Sequence, residues 1–355
     1  MQLFIKINLL VLLVFSPLVA KADLVRCTSP DGMSSTIQRG KCESPNDIQT
    51  TVIAKPALQP SEITQKAPSE PLVSLSDARR GFKTALLPQK STQQPVEQPP
   101  SDLFQVIKYS APSGELAAYL SPNPGDGKRH PAMIWITGGD CNSIGDVWSA
   151  APRSNDQTAA AFRKAGMVMM FPSLRGGNDN PGAREGFFGE VDDVLAAASY
   201  LQKLDFVDPK RIYLGGHSTG GTLVLLVAEY SDRFRSVFSF GPVADVSSYG
   251  ADSGFLPFNT SIKNEVKLRS PIYWLSSIKS PVWVFEGTEG NIDSLKAMAK
   301  ISTNAHVHFI AIRGANHFAT LAPTNQLIAR KILQDTGEFS NLSFSEEEVR
   351  QNVMQ

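Results

Sequence analysis

Cysteine and histidine are scarce in this 355-residue chain, at three and five residues. That excludes a disulfide-dense scaffold, and no His/Cys/Asp/Glu group stands at metal-ligand spacing. Net charge is also missing, because 34 Lys and Arg balance 34 Asp and Glu. With no basic stripe and no acidic tail, no nucleic-acid partner is expected. No glycine-rich loop closes on a phosphate-binding lysine, so no cofactor is implied. The apolar run from Leu9 to Phe15 is too short to span a bilayer, and no stable membrane insertion is expected.

What is present begins with Lys6, that apolar run and Ala20-Lys21-Ala22. A basic start, a short hydrophobic stretch and a small-x-small site predict a secretory signal peptide over residues 1–22, and hence a periplasmic or secreted protein. In an exported chain, Cys27 and Cys42 on either side of the turn signal Asp31-Gly32 predict a disulfide closing a small β module over residues 23–45. This stretch resembles a module found at the front of bacterial envelope proteins. Cys141 is left over and reads as a small buried hydrophobe. Residues 46–102, rich in Pro, Gln, Ser and Thr, read as a linker, within which an apolar island over 75–87 is expected to dock on the domain that follows.

Residues 103–340 carry a regular pattern. A strand pair is predicted over 104–109 and 116–120, turning through Pro112-Ser113-Gly114. Continuous apolar runs at 132–136, 167–171, 236–240 and 281–285, with a further strand at 306–312, predict strands buried in a sheet; periodic stretches at 156–164, 190–204, 294–301 and 324–333 predict helices. Alternating strands and helices imply an α/β fold with a mostly parallel sheet covered on both faces. An irregular piece over 245–277 holds Tyr249, Phe255, Phe258, Tyr273 and Trp274 and is expected to wall a pocket. In the tail, residues 341–355, Ser345-Glu346-Glu347-Glu348 predicts a capped final helix.

The chemistry centres on Gly215-Gly216-His217-Ser218-Thr219-Gly220-Gly221, which a β-branched run enters and an apolar helical pattern leaves. A serine between glycines at a strand-to-helix turn is the context of a nucleophile elbow, which makes Ser218 the candidate nucleophile. A serine hydroxyl needs a histidine to take its proton and a carboxylate to hold that histidine. His317, in Gly314-Ala315-Asn316-His317 after the last predicted strand, is the candidate base. His217 lies inside the elbow and reads as pointing away from this task; His130, His306 and His308 sit in or before strands.

The ordered segments Pro172-Ser173-Leu174-Arg175-Gly176-Gly177, Glu190-Val191-Asp192-Asp193, Val207-Asp208-Pro209, the elbow, Gly241-Pro242-Val243-Ala244-Asp245, Arg269-Ser270-Pro271 and Gly314 to His317 resemble the catalytic domain of the prolyl oligopeptidase family and its dienelactone-hydrolase-like relatives. The resemblance implies an α/β-hydrolase fold and a role for Ser218 with His317. It also implies an acid at the end of a His-Gly-x-x-Asp pattern, but this chain reads Glu286-Gly287-Thr288-Glu289-Gly290. Glu289 is the favoured acid, with Glu286, Asp293 and Asp245 as alternatives. Thr219 and Gly139 are the expected oxyanion-hole donors. Arg175 and Asp193 read as a structural pair. The expected function is an exported serine hydrolase acting on a small-molecule ester or short peptide; the rival is a non-catalytic envelope binding protein on the same scaffold, favoured by the glycine at position 290.

Overall fold

The computed structural model describes residues 24–28, 35–39, 41, 48–52, 73–89, 93–250 and 254–354. The expected leader over 1–22, the Asp31-Gly32 turn, the whole of Cys42 and the side chain of Cys27 lie outside them, and so therefore does the proposed bridge. The chain divides into two compact units, residues 1–57 and 58–355.

In the first unit β1 (Leu24–Thr28) is flanked by β2 (Ser35–Arg39) and β3 (Ile48–Val52), both antiparallel to it. The pairing of β1 with β2, from Leu24 against Arg39 to Thr28 against Ser35, is the antiparallel one expected on either side of Asp31-Gly32. The third strand comes from the stretch 46–102 that reads as linker: Ile48-Gln49-Thr50-Thr51-Val52 alternates too weakly to declare itself, yet its β-branched residues suit a pleated strand once a partner exists.

The second unit opens with the short helix α1 (Leu75–Arg79), capped by the Ser74 hydroxyl, which accepts the Asp77 N–H. Leu75 is buried, as docking of this island requires. The strands β4 (Gln105–Ala111) and β5 (Gly114–Leu120) form the expected antiparallel pair. They edge a sheet completed by β6 (His130–Ile136), β7 (Val168–Pro172), β8 (Val207–His217), β9 (Val237–Phe240), β10 (Val282–Gly287) and β11 (Val307–Ile312). The order is β11-β10-β9-β8-β6-β7-β5-β4, and every pairing from β7 to β11 is parallel.

Between the strands run α2 (Ala160–Lys164), α3 (Glu190–Leu201), α4 (Thr219–Tyr230), α5 (Lys263–Lys267) and α6 (Ile292–Ile301), and after the last strand come α7 (Leu321–Gln334) and α8 (Glu346–Met354). The helix expected from 156 begins at Ala160 because the Asp156 side chain accepts the Thr158 N–H and Ala159 turns left-handed, at φ 49°. Val191, Val194, Ala198 and Leu201 of α3 are buried on one face, as their spacing predicts. The apolar pattern of α4 has a different cause: Thr219 to Glu229 are all buried, so the helix is apolar nearly all round. Each buried Leu or Val there stabilises by about 1.5–3 kcal/mol. The Ser345 hydroxyl accepts the Glu348 N–H and starts α8, whose Val349 enters the core. Among the described residues no helix is long and apolar enough to cross a membrane.

Candidate active site

The central strand β8 ends at His217, and α4 starts at Thr219, so Ser218 alone makes the turn. Its φ of 57° and ψ of −114° are strained for a residue with a side chain. The glycines around it are a packing necessity. A Cβ at Gly216 would meet the Gly220 carbonyl oxygen at 2.6 Å, and one at Gly220 would meet the Ile136 oxygen at 2.3 Å. Ser218 donates its N–H to Phe240 at the end of β9 (2.7 Å), and Gly241 donates to Phe285 near the end of β10 (2.8 Å). In this way the carboxyl ends of β8, β9 and β10 bring Ser218, Gly241 and Glu286 to one side of the sheet.

His317 lies on the loop between β11 and α7, half-buried. Its Nδ1 is 2.9 Å from Oε2 of Glu286, a side chain only 1% exposed. The other oxygen, Oε1, accepts the Gly287 N–H at 2.7 Å. This corrects the sequence reading, which favours Glu289. Glu289 is exposed and its backbone N–H bonds the Ala315 carbonyl, so its side chain is not the one that meets the ring. Asp293 is exposed in the first turn of α6, and Asp245 accepts the Ser247 N–H. The physical reason lies at Gly290. A Cβ there would fall 2.4 Å from Oε1 of Glu286, so the glycine that replaces the expected acid leaves room for a longer carboxylate from the strand end.

His217 is nearer to the centre than the sequence implies. It is buried, its ring lies 4.5 Å from that of His317, and its Nε2 is 3.2 Å from the His317 carbonyl oxygen, which also accepts the Thr320 hydroxyl. Nδ1 faces Gln157 Oε1 at 3.4 Å. Burial, and then the neighbouring His317, push its pKa well below the usual imidazole range, so it is neutral. The signal available in the sequence was position alone: a histidine that ends the central strand next to the elbow serine has nowhere to go but the interior.

The loop from Gly138 to Ser143 sits beside the elbow. Gly139, at φ 72°, offers its carbonyl to the Thr219 hydroxyl at 2.9 Å. Asp140 accepts the Asn142 N–H, the Ser143 hydroxyl and Arg184 Nη2. Thr219 is the first residue of α4 and carries one of the helix's unpaired N-terminal N–H groups. Arg175 holds Asp193 through two parallel bonds of 2.8 Å and reaches Glu185 at 2.6 Å, with Asp193 fully buried. The pair braces the loop after β7. Asn142 joins this network by donating to the Arg175 carbonyl and to Glu190. Cys141 is buried, and burial raises its thiol pKa far above the usual range. Among the described residues no group of three or more His, Cys, Asp or Glu side chains is placed to hold a metal ion.

Residues 153–289 match the model of the prolyl oligopeptidase family. The acyltransferase drtE of Aspergillus calidoustus is 30% identical over 118 residues, covering 32% of this chain and 36% of that one. The S-formylglutathione hydrolase of Mus musculus is 29% identical over 167 residues, covering 39% and 57%. The match thus spans little more than a third to somewhat over half of those relatives. Among solved structures, the acylaminoacyl peptidase of Pyrococcus horikoshii superposes with a TM-score of 0.54 at 15% identity, covering 69% of this chain and 43% of that one. At that identity the likeness carries the fold.

Proposed function

We propose, for a chain that is an α/β-hydrolase with a segment matching the prolyl oligopeptidase family, that it is an exported serine hydrolase cleaving an ester or short-peptide amide through Ser218, His317 and Glu286. The observation that carries this reading is the 2.9 Å contact between His317 Nδ1 and a buried Glu286, next to a serine on a strained turn. With Nδ1 bonded to the carboxylate, Nε2 is the nitrogen left to take the Ser218 proton. The Ser218 oxygen then bonds the substrate carbonyl carbon, and the carbonyl oxygen becomes an oxyanion. The N–H groups of Thr219 and Gly139 are the donors proposed to stabilise it. Glu286 stabilises the imidazolium, which returns its proton to the departing alcohol or amine. Water, activated by the same histidine, releases the acyl group and restores Ser218.

The glycine at position 290 supported the non-catalytic rival, and Glu286 removes that ground. Export rests on the leader-like residues 1–22. Their basic start, short apolar core and Ala20-Lys21-Ala22 support a periplasmic or secreted location. Treatment of the folded protein with a fluorophosphonate is expected to modify Ser218 and no other residue, as peptide mapping would show. Folded protein that takes up no label would overturn the enzyme reading and leave a binding protein.

A further inference from the structure

The N–H of Gly139, one of the two donors proposed for the oxyanion, sits on a soft piece of backbone. Gly138 and Gly139 are consecutive and Gly139 has φ 72°, so the peptide between them can turn over at little steric cost. Turned one way, it offers the Gly139 N–H to the developing negative charge. Turned the other way, it presents the Gly138 carbonyl, which repels that charge. The Gly139 N–H makes no hydrogen bond among the described residues and is free for a substrate oxygen. Such a donor is effective only if neighbouring groups fix its direction beforehand.

The loop meets the elbow at close quarters. A Cβ at Gly138 would lie 3.0 Å from His217 Nδ1 and 3.2 Å from the His217 carbonyl oxygen, and one at Gly220 would lie 2.6 Å from the Thr137 carbonyl oxygen. Residues 137–139 therefore run against the residues on either side of Ser218. There the buried Thr219 hydroxyl donates to the Gly139 carbonyl at 2.9 Å. The residue that offers one oxyanion donor from its backbone thus holds the other donor's residue with its side chain. At the far end of the loop, buried Asn142 is held at four points. Its side-chain amide donates to the Arg175 carbonyl at 2.8 Å and to Oε1 of fully buried Glu190 at 3.1 Å. Its backbone carbonyl accepts the Leu174 N–H at 2.7 Å and the Ser173 hydroxyl at 3.0 Å. Glu190 Oε1 also accepts the Glu185 N–H at 2.6 Å, so it is a fixed acceptor. A Cβ at Gly177 would fall 1.9 Å from the Asn142 carbonyl oxygen, and only a glycine lets the loop seat there.

We propose that the Thr219 hydroxyl and the Asn142 side chain are positioning groups of the oxyanion hole, which together hold the 138–139 peptide with its N–H towards the reacting carbonyl. The proposal rests on the serine hydrolase reading. Neither side chain touches the substrate or His317. Thr219 acts on the carbonyl of the donor's own residue, and Asn142 moors the loop to the segment after β7 and to Glu190 of α3. Without the hydroxyl, the Gly139 carbonyl loses its partner and the glycine pair regains its freedom to turn.

The test uses the native full chain, Thr219→Val, which removes the hydroxyl and nearly keeps the shape, Thr219→Ser, which keeps the hydroxyl, and Asn142→Leu. Circular dichroism and thermal melts establish which are folded. Each is assayed with p-nitrophenyl acetate and with an aryl trifluoromethyl ketone, whose carbonyl takes up the serine oxygen to give a tetrahedral oxyanion. In Thr219→Val kcat is expected to fall about tenfold to a hundredfold with KM within about twofold of native, since only a transition-state interaction is disturbed. The inhibition constant of the ketone is expected to rise in proportion to the loss in kcat/KM, because the adduct resembles the transition state. Thr219→Ser is expected to return kcat to within about threefold of native. Asn142→Leu is expected to give the same kcat and ketone pattern from the far end of the loop, and it carries the test by itself if Thr219→Val does not fold. Native kcat in the folded variants, a loss that appears in KM alone, or Thr219→Ser no better than Thr219→Val overturns the positioning role while native protein still labels with fluorophosphonate at Ser218. Native protein that neither labels nor turns over the ester overturns the hydrolase reading and this proposal with it.

Discussion

A carboxylate that serves a histidine must keep a lone pair aimed at the ring, and Glu286 does so with Oε2 while the Gly287 N–H occupies Oε1. Glu286→Gln places an amide where the charge was, and turnover is expected to fall by about 10⁴-fold, as when a triad loses the group that fixes its tautomer. Glu289→Gln, at an exposed side chain, is expected to leave turnover near native. Steady-state assay of the two variants side by side checks the assignment, and equal losses would refute it. His217 acts on the same histidine from the other side. Being neutral, it has one N–H to give, and Nε2 faces the His317 carbonyl. His217→Phe fills the space without a donor and is expected to slow acylation on the order of tenfold by letting the His317 backbone drift. His217→Gln can return a donor to that carbonyl and is expected to recover most of the rate. Pre-steady-state acylation measured on both variants separates loss of the hydrogen bond from loss of packing.

At the scale of elements, the site depends on three strand ends being level. The register pairs His217 of β8 with Phe240 of β9, and Phe240 with Phe285 of β10, which sets Ser218 and Glu286 one residue beyond that row. Gly290, in the turn after β10, then keeps the space that the Glu286 carboxylate fills. Gly290→Ala would put a Cβ 2.4 Å from Oε1 and push the carboxylate off His317. Activity is expected to fall on the order of 10²-fold, the scale of a misplacement near 1 Å, while the unfolding transition moves far less. Parallel assay and thermal melts test this. The strands and helices of the large domain were legible because burial on both faces and a 3.6-residue period leave long, unambiguous patterns. Ser218 and His317 stand out as candidates in the sequence because elbow and histidine loop follow one another in a fixed order. Glu286 was harder, since a strand-end carboxylate looks like any other until the cavity at Gly290 is seen. β3 was harder still: its partner is another strand, and Ile48–Val52 carries no period strong enough to name it alone.

At the scale of the whole molecule, the last helices must be fastened to a sheet whose working edge is at its opposite end. Asp335, at the end of α7, does much of this. It is fully buried, accepts Nε and Nη2 of Arg235 at 2.7 Å each, accepts the Tyr213 hydroxyl at 2.7 Å and takes the Asn341 N–H at 3.1 Å. Arg235 also donates to the carbonyls of Gly337 and Phe339, so one cluster joins β8, the approach to β9 and the chain leading to α8. Burial opposes the charge on Asp335, but the hydrogen bonds from Arg235 and Tyr213 outweigh it and hold the carboxyl below its ordinary range. The folded state therefore binds this proton less readily than the unfolded chain. The stabilisation is complete above the unfolded carboxyl pKa and is lost as pH falls through it towards the lower folded value. Asp335→Asn leaves Arg235 without its counter-charge and is expected to cost about 3–5 kcal/mol at neutral pH. Because the variant has no such carboxyl to protonate, its stability is also expected to fall less steeply than native between about pH 5 and pH 3. Urea unfolding of both proteins across that window measures the two effects together, and parallel acid limbs would refute the role given to Asp335. The cluster lies far from Ser218 in the sheet, so fluorophosphonate labelling of folded variant at neutral pH is expected to match native. Loss of labelling with the fold retained would mean that the rear fastening also governs the site.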